Sequence, residues 1–438
     1  MKESNRYRPL QDRTIENVQV EHLARKFDMS KESRIAHLLV KHINQAIDEL
    51  ETNLGILRVR PFELYYKYKR KSLTLPLFKP EYVELLIQGQ PFPIVRKEIE
   101  RDCLTRLKAI EPKATRRILY RLINPWALAR RKGPSYASLL QTEVQSFNQE
   151  DSTEWIRRVK RIKPCLPSQR MSIYDTCVHE PTLRQLVNYV QNEAGMGEAV
   201  SLALVEEVIT LRNLFCPLAS QLKSGEMPII ATHVRAHLSE EIATRFRRHA
   251  PVIITVTLPQ EIRAIEEGRY NTTVAIESLK ERIVRVAFEA YHQNGLLSLM
   301  DMQWIFQLAS TRIGELIRSF QREHNIIVPT PGTILDAGRS LTHKDIVINL
   351  HLQGHTVKEI AKITYHSPRA VDNYIGVFEA VLILYLYNIP NQLMARVLRK
   401  GVTLVEEHLR LVKIFMKSRE EILYHLDNKG IKICSIIS

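Results

Sequence analysis

A chain of 438 residues with 45% hydrophobic side chains is long enough for two to four domains and too apolar to be disordered. Its 15 Gly and 20 Pro exclude collagen-like or low-complexity architecture. The formal net charge of +15 is concentrated: residues 51–170 hold 25 Lys/Arg against 12 Asp/Glu, a net +13, which favours a polyanionic partner through counterion release. Five cysteines at 103, 165, 177, 216 and 434 form no CxxC pair and no zinc-finger spacing, and read as reduced thiols. The first residues lack an apolar h-region and no apolar run reaches 18 residues, so a cytoplasmic chain with no membrane partner is expected.

Residues 30–53 predict one helix, capped by Ser30, with Ile35, Leu38, Leu39, Ile43, Ile47 and Leu50 near a 3.6-residue period. The preceding VEHLARKFDMS is also helix-like, which suggests a helical hairpin, with a further helix-turn-helix as the alternative. Residues 54–100 alternate apolar and basic groups and contain several prolines, predicting short strands or irregular extended chain. Helix character returns over 101–133. The polar stretch GPSYASLLQTEVQSFNQEDSTE then closes a basic, mostly helical N-terminal domain, 1–145. A middle α+β domain is expected over 155–270. It opens on the basic cluster Arg157, Arg158, Lys160, Arg161 and Lys163, continues as helix over 180–223, and holds two short β-branched strands near 225–260, GEMPIIATHV and APVIITVTL. Leu258 to Gly268 reads as a helix with a Gly stop.

From Glu277 to Leu426 the pattern is helical, in units of helix-turn-helix spacing. The first, 277–340, opens with ESLKERIVRVAFEAYHQ. Ser298 caps its second helix and Ser310 its third, which exposes Thr311, Arg312, Glu315, Arg318 and Arg322. The following NIIVPTPGTILDAGR suits a β-wing near 326–336, making this a winged helix-turn-helix. In the second unit, 341–386, Gly354 ends a helix with positive φ and Thr356 caps a short helix bearing Ile360 and Ala361. Tyr365 and His366 turn, and Ser367 caps a third helix with Pro368 at its first position. Val371, Ile375 and Phe378 face inward on that helix. Arg369, Ala370, Asp372, Asn373 and Tyr374 face outward, where a recognition helix reads a groove. A third helical unit, 387–438, starts at Pro390 and turns near Lys400 and Gly401. Its Arg396, Arg399 and Lys400 cluster as DNA contacts, and its Leu404, Leu409, Val412 and Phe415 offer an alternative use as a dimer face.

Gly354, Glu359, Ile360, Ala361, Ser367 and Val371 stand at the offsets of the LuxR/FixJ-type helix-turn-helix, which this stretch resembles. From about Ala219 to Phe415 the chain resembles the prokaryotic family called domain of unknown function 1670. The resemblance rests on GEMPIIATHV with PVIITVTLPQEI, on AFEAYHQNGLLSLMDMQWIF with VPTPGTILDAGRSLTHK, and on the stretch through HSPRAVDNYIGVF. It implies multiple helix-turn-helix units and brings no known activity. Pro331 stands where that family usually has Arg, which puts one wing–phosphate contact in doubt.

No catalytic constellation emerges. Asp336, Asp345 and Glu359 match no metal-nuclease spacing, and Tyr270, Tyr291 and Tyr374 lack the Arg/His setting of a recombinase nucleophile. There is no Walker motif, and GMG at 195–197 lacks the third glycine of a dinucleotide loop. His351 and His355 have ligand spacing only on an unbroken helix, and Gly354 falls between them, so neither a metal nor a cofactor is expected. The reading is a mainly α, multi-domain, non-enzymatic protein that binds double-stranded DNA, as a transcription regulator and with a homodimer as one arrangement. The alternatives are an accessory or target-selecting protein (or a recombinase) of a mobile genetic element, and a protein-interaction scaffold.

Overall fold

In the computed structural model the described residues are 13–29, 34–68, 71–125, 180–234, 236, 249–266, 275–324, 326–335, 344–364, 366 and 368–431. The chain is mainly α-helical with small antiparallel sheets. It divides into two compact units. The first is Met1–Phe320 with Val328–Ala337, the second Gln321–Ile327 with Gly338–Ser438. The boundaries expected at 145–155 and at 340 fall outside the described residues.

In the first unit, α1 (Ile15–Lys26) and α2 (Arg34–Asn53) form the expected helical hairpin. Thr14 caps α1 by accepting the Asn17 N–H at 3.2 Å. The buried stripe of α2 is Ala36, Leu39, Val40, Ile43 and Ile47; Ile35 and Leu38, expected inside, are exposed. This stripe meets Leu186, Val187 and Val190 of α6 (Glu180–Ala194) and Leu204, Val205 and Val208 of α7 (Glu198–Phe215), in a four-helix core. Residues 54–100 contain the expected strands, β1 (Glu63–Tyr68) and β2 (Lys71–Pro76), paired with Leu64 opposite Leu75. The prolines after them start helices rather than loops: Pro80 opens α3 (Pro80–Ile87), and Pro91 caps α4 (Phe92–Ile110). Proline costs nothing at a helix N-terminus, where its missing N–H would have had no partner. The short α5 (Arg116–Ile123) follows.

The two β-branched runs become β3 (Glu226–His233) and β4 (His249–Thr255), and β5 (Gly295–Leu296) completes a sheet of order β4-β3-β5. Proline in the central strand β3 is accommodated because Pro228 carries no N–H and its C=O accepts the Phe62 N–H at 2.8 Å. Opposite it, Ile253 of the edge strand β4 turns its amide groups outward, toward a helix.

That helix is α9 (Ala275–His292), which comes after α8 (Pro259–Glu266). Residues 282–290 of α9 are all buried. A polar stripe runs along it. Arg282 donates to the Arg121 and Leu122 carbonyls at 3.0 and 2.9 Å, and Arg285 to Thr255 and Val256, each at 3.1 Å. Glu289 accepts the Thr255 N–H at 2.6 Å. Just past the helix end, Gln293 accepts the Ile253 N–H at 3.0 Å and donates to the Ile253 carbonyl at 2.8 Å. An open strand edge leaves a row of backbone groups unpaired, at a cost once buried. Here helix side chains take the place of a fourth strand. Burial pushes the Glu289 carboxyl up to about 7, against the opposing pull of Arg285.

α10 (Leu299–Phe306) and α11 (Ser310–His324) follow, the last residues of α11, from Gln321, belonging to the second unit. Ser298 caps α10 as expected: its Oγ accepts the Asp301 N–H at 3.1 Å while Asp301 accepts the Ser298 N–H at 2.7 Å. Trp304 is fully buried edge-on to Phe78 and Phe92, with ring centroids 5.2 and 5.7 Å away. The expected β-wing does not form. Residues 326–330 belong to no strand, and Pro331–Ile334 is a short helix, α12. Pro331 starts that helix, and the Thr333 hydroxyl accepts the Thr330 N–H at 2.7 Å and donates to the Val328 carbonyl at 2.9 Å. Those local bonds take the groups that a wing hairpin would need.

The second unit is helical among its described residues: α13 (Lys344–Leu352), α14 (Val357–Thr364), α15 (Pro368–Leu386), α16 (Asn391–Leu398), α17 (Val402–Phe415) and α18 (Arg419–Asn428). Its core joins Val347 and Leu350 of α13, Ile360 and Ala361 of α14, and Val371, Ile375, Phe378 and Leu382 of α15. Met394, Val405, Leu409, Val412, Ile422 and Leu426 of the last three helices extend it.

Candidate functional site

Helices α13, α14 and α15 touch one another pairwise, and the local chemistry at their joints follows the sequence reading. Gly354 has φ +88°, a conformation open to glycine at little cost. Thr356 and Glu359 form a reciprocal cap. The Thr356 hydroxyl accepts the Glu359 N–H at 3.3 Å and Glu359 accepts the Thr356 N–H at 2.8 Å, which holds that exposed carboxyl below its ordinary value. The His366 N–H reaches back to the Ala361 carbonyl at 3.1 Å, closing the turn.

On α15, Val371, Ile375 and Phe378 are buried while Arg369, Asp372 and Asn373 are exposed. Ala370 and Tyr374 are half-buried, the Tyr374 ring 5.9 Å from that of His366. Ser367 lies outside the described residues. Five of the six residues expected on this helix are thus placed on its first two turns, and three of them are exposed. The described part of the unit, 321–324, 326–327 and 344–431, carries 13 Lys/Arg against 10 Asp/Glu, a net +3, so its surface is only weakly basic.

On α11, Thr311 and Arg322 are exposed and Arg318 is half-buried. Arg312 is half-buried and paired with Glu315 at 2.5 Å, which diverts its guanidinium from an outside ligand. Ser310 is the first residue of α11, and its N–H is taken by the Gln303 side chain at 3.2 Å. In the α16–α17 turn, Arg396 and Arg399 are exposed and Lys400 is half-buried, with Arg399 in the left-handed region at φ 51°. The expected apolar dimer face on α17 is already used: Leu409 and Val412 are buried in the unit's own core, and Leu404 and Phe415 are half-buried. The apolar side chains left exposed on α16 and α17 are Leu393, Val397, Val402 and Ile414.

Of the carboxylates weighed for catalysis, Asp336 lies outside the described residues. Asp345 opens α13 and accepts the Ile346 N–H at 3.0 Å, and burial raises its pKa. Of the tyrosines, Tyr270 also lies outside them.

A different cluster, not foreseen from the sequence, forms inside the second unit. His351 of α13, Glu379 of α15 and His425 of α18 each offer a ligand atom, all within 4.8 Å of one another; among the described residues no other His/Cys/Asp/Glu group does so. His351 Nε2 is 3.1 Å from a Glu379 carboxylate oxygen, and the His351 and His425 rings meet edge-on at 5.8 Å. The hydrogen bond from His351 holds the Glu379 carboxyl below its ordinary value, and burial lowers the pKa of His425. His355, as expected, lies outside the helix beyond Gly354, half exposed and 4.0 Å from Glu359. Separations of tens of residues hide such a trio from any short motif.

Fold and site together define a mainly helical protein of two compact units, and no described helix is long and apolar enough to cross a membrane. Over residues 190–411 the chain matches the family described as protein of unknown function (DUF1670), and it belongs to that family. The matched region runs from α6 into α17 and so takes in the edge-capped sheet, α9–α11 and the α13–α15 arrangement. No curated protein and no solved structure matches the chain.

Proposed function

We propose that this protein binds double-stranded DNA, with α15 as the reading helix, and acts as a non-enzymatic transcription regulator. The observation that carries the reading is the exposed set Arg369, Asp372 and Asn373 on the first two turns of a helix whose opposite face, Val371, Ile375 and Phe378, is locked into a three-helix core. A groove reader needs such a rigid helix end bearing side chains with hydrogen-bond donors and acceptors: Arg pairs with guanine and Asn with adenine. The LuxR/FixJ-like offsets at 354–371 support the same assignment. The weak net charge of this unit leaves most non-specific phosphate attraction to the basic segment 51–170. Titration of labelled duplexes with the full chain at several salt concentrations tests this. The expected result is an affinity that falls steeply with salt, with Arg369→Ala weakening binding to the preferred sequence by about 1–3 kcal/mol.

One observation favours a second reading. Leu393, Val397 and Val402 lie exposed around the α16–α17 turn, a surface suited to a protein partner. No shift of any duplex at low salt would favour that scaffold role.

A further inference from the structure

We propose that His351, Glu379 and His425 form a binding site for one divalent transition-metal ion of the zinc type. Two imidazoles and a carboxylate are a donor set suited to zinc-type ions, leaving a fourth tetrahedral position for water or a further ligand. Three features point there. The donors come from three different helices, α13, α15 and α18, yet converge within 4.8 Å. The His351 side chain is buried and Glu379 is mostly so, so the group sits in the protein rather than on its surface. The Nε2 atom of His425 is buried with no hydrogen-bond partner. A buried polar atom left unpaired is costly and calls for a partner, which a cation supplies.

Metal–ligand distances of about 2.0–2.2 Å set tetrahedral donors about 3.3–3.5 Å apart. The 3.1 Å between His351 and Glu379 is a few tenths of an ångström short of that spacing, and the 4.8 Å limit on the trio leaves side-chain adjustments of at most about 1.5 Å to reach it. Coordination replaces the His351–Glu379 hydrogen bond. The proton on His351 Nε2 is given up to solvent and Nδ1 takes one up, so each neutral imidazole offers one lone pair to the ion and holds its proton on the other nitrogen. The ion would tie α18 to α13 and α15, two helices of the three-helix arrangement, and so stiffen the proposed DNA-reading unit. The geometry of the site stands independently of nucleic-acid binding.

The test uses the full chain, stripped with a chelator and titrated with Zn²⁺ by calorimetry and with Co²⁺ by visible absorption. The expected result is one ion per chain at micromolar affinity or tighter, a Co²⁺ ligand-field spectrum of a four- or five-coordinate site, and a rise in Tm with Zn²⁺. His425→Ala and Glu379→Gln should each weaken binding about 100-fold or more and abolish the Tm rise. Circular dichroism of the metal-free variants checks that they fold, and His425→Cys should restore Zn²⁺ binding should His425→Ala unfold. Failure of the wild-type chain to bind Zn²⁺ or Co²⁺ would overturn the proposal. Binding that persists unchanged in the folded variants, as through the cysteines, would overturn it too.

Discussion

Replacing Gln293 with Leu tests the claim that α9 and its C-terminal flank serve as the missing fourth strand of the β4-β3-β5 sheet. Gln293 is 4% exposed and joins both backbone groups of Ile253, at 3.0 and 2.8 Å. Leucine matches the shape but offers neither donor nor acceptor, so an N–H and a C=O become buried and unpaired together. Each such loss costs about 1–3 kcal/mol. Leucine recovers on the order of 1 kcal/mol through apolar burial. The expected net destabilisation is about 1–5 kcal/mol, a sizeable fraction of the roughly 5–15 kcal/mol that a folded protein has in hand. Urea unfolding followed by the fluorescence of buried Trp304 should show the midpoint lowered by about 1 M with an unchanged slope. Hydrogen exchange at the Ile253 amide should accelerate in parallel. A variant within about 0.5 kcal/mol of wild type, the range of an ordinary surface change, would refute the edge-capping account.

Two further outcomes follow from burial and backbone geometry. Gly225 has φ +92°, and a Cβ there would lie 2.0 Å from the Thr257 carbonyl oxygen, so Gly225→Ala should cost more than about 2 kcal/mol by thermal denaturation; a neutral variant would contradict the packing of that turn. His408 on α17 is buried beside Lys344, with its Nδ1 unpaired, and burial lowers its pKa to about 4. Its folded pKa lies below the unfolded value of about 6.5, so the folded state binds fewer protons between the two. Stability of the second unit should therefore be complete above about pH 6.5 and fall by up to about 3 kcal/mol as the pH drops to 4. His408→Phe should flatten this dependence, and an equal slope in that variant would exclude His408 as its cause.

Periodicity and caps carried much of the fold into view. Gly354, Thr356 and Ser298 do what their residue types dictate, since a positive φ and an unpaired helix N–H are local problems with local solutions. The 2-residue and 3.6-residue patterns also marked β3, β4 and α13–α15 correctly. What failed was chemistry decided by partners far along the chain. Arg282, Arg285, Glu289 and Gln293 form a polar stripe that would normally face water, but the open edge of β4 claims most of it. The β-branched residues Ile326, Ile327 and Val328 predict a wing, yet Pro331 and Thr333 divert the chain into a helix start. Leu409 and Val412 looked like a spare apolar face, but α15 and α16 already cover that side. His351, Glu379 and His425 were invisible together, because only the fold makes neighbours of α13, α15 and α18.

The central claim, that α15 reads DNA, is tested most directly by selecting bound duplexes from a random pool with the full chain and then measuring preference over an unrelated duplex at fixed salt. The account predicts a recovered motif bound at least about 10³-fold more tightly than unrelated DNA. It also predicts that Arg369→Ala combined with Asn373→Ala removes most of that preference while non-specific affinity stays close to wild type. Recovery of no motif, or a preference that survives intact in the double variant, would contradict it.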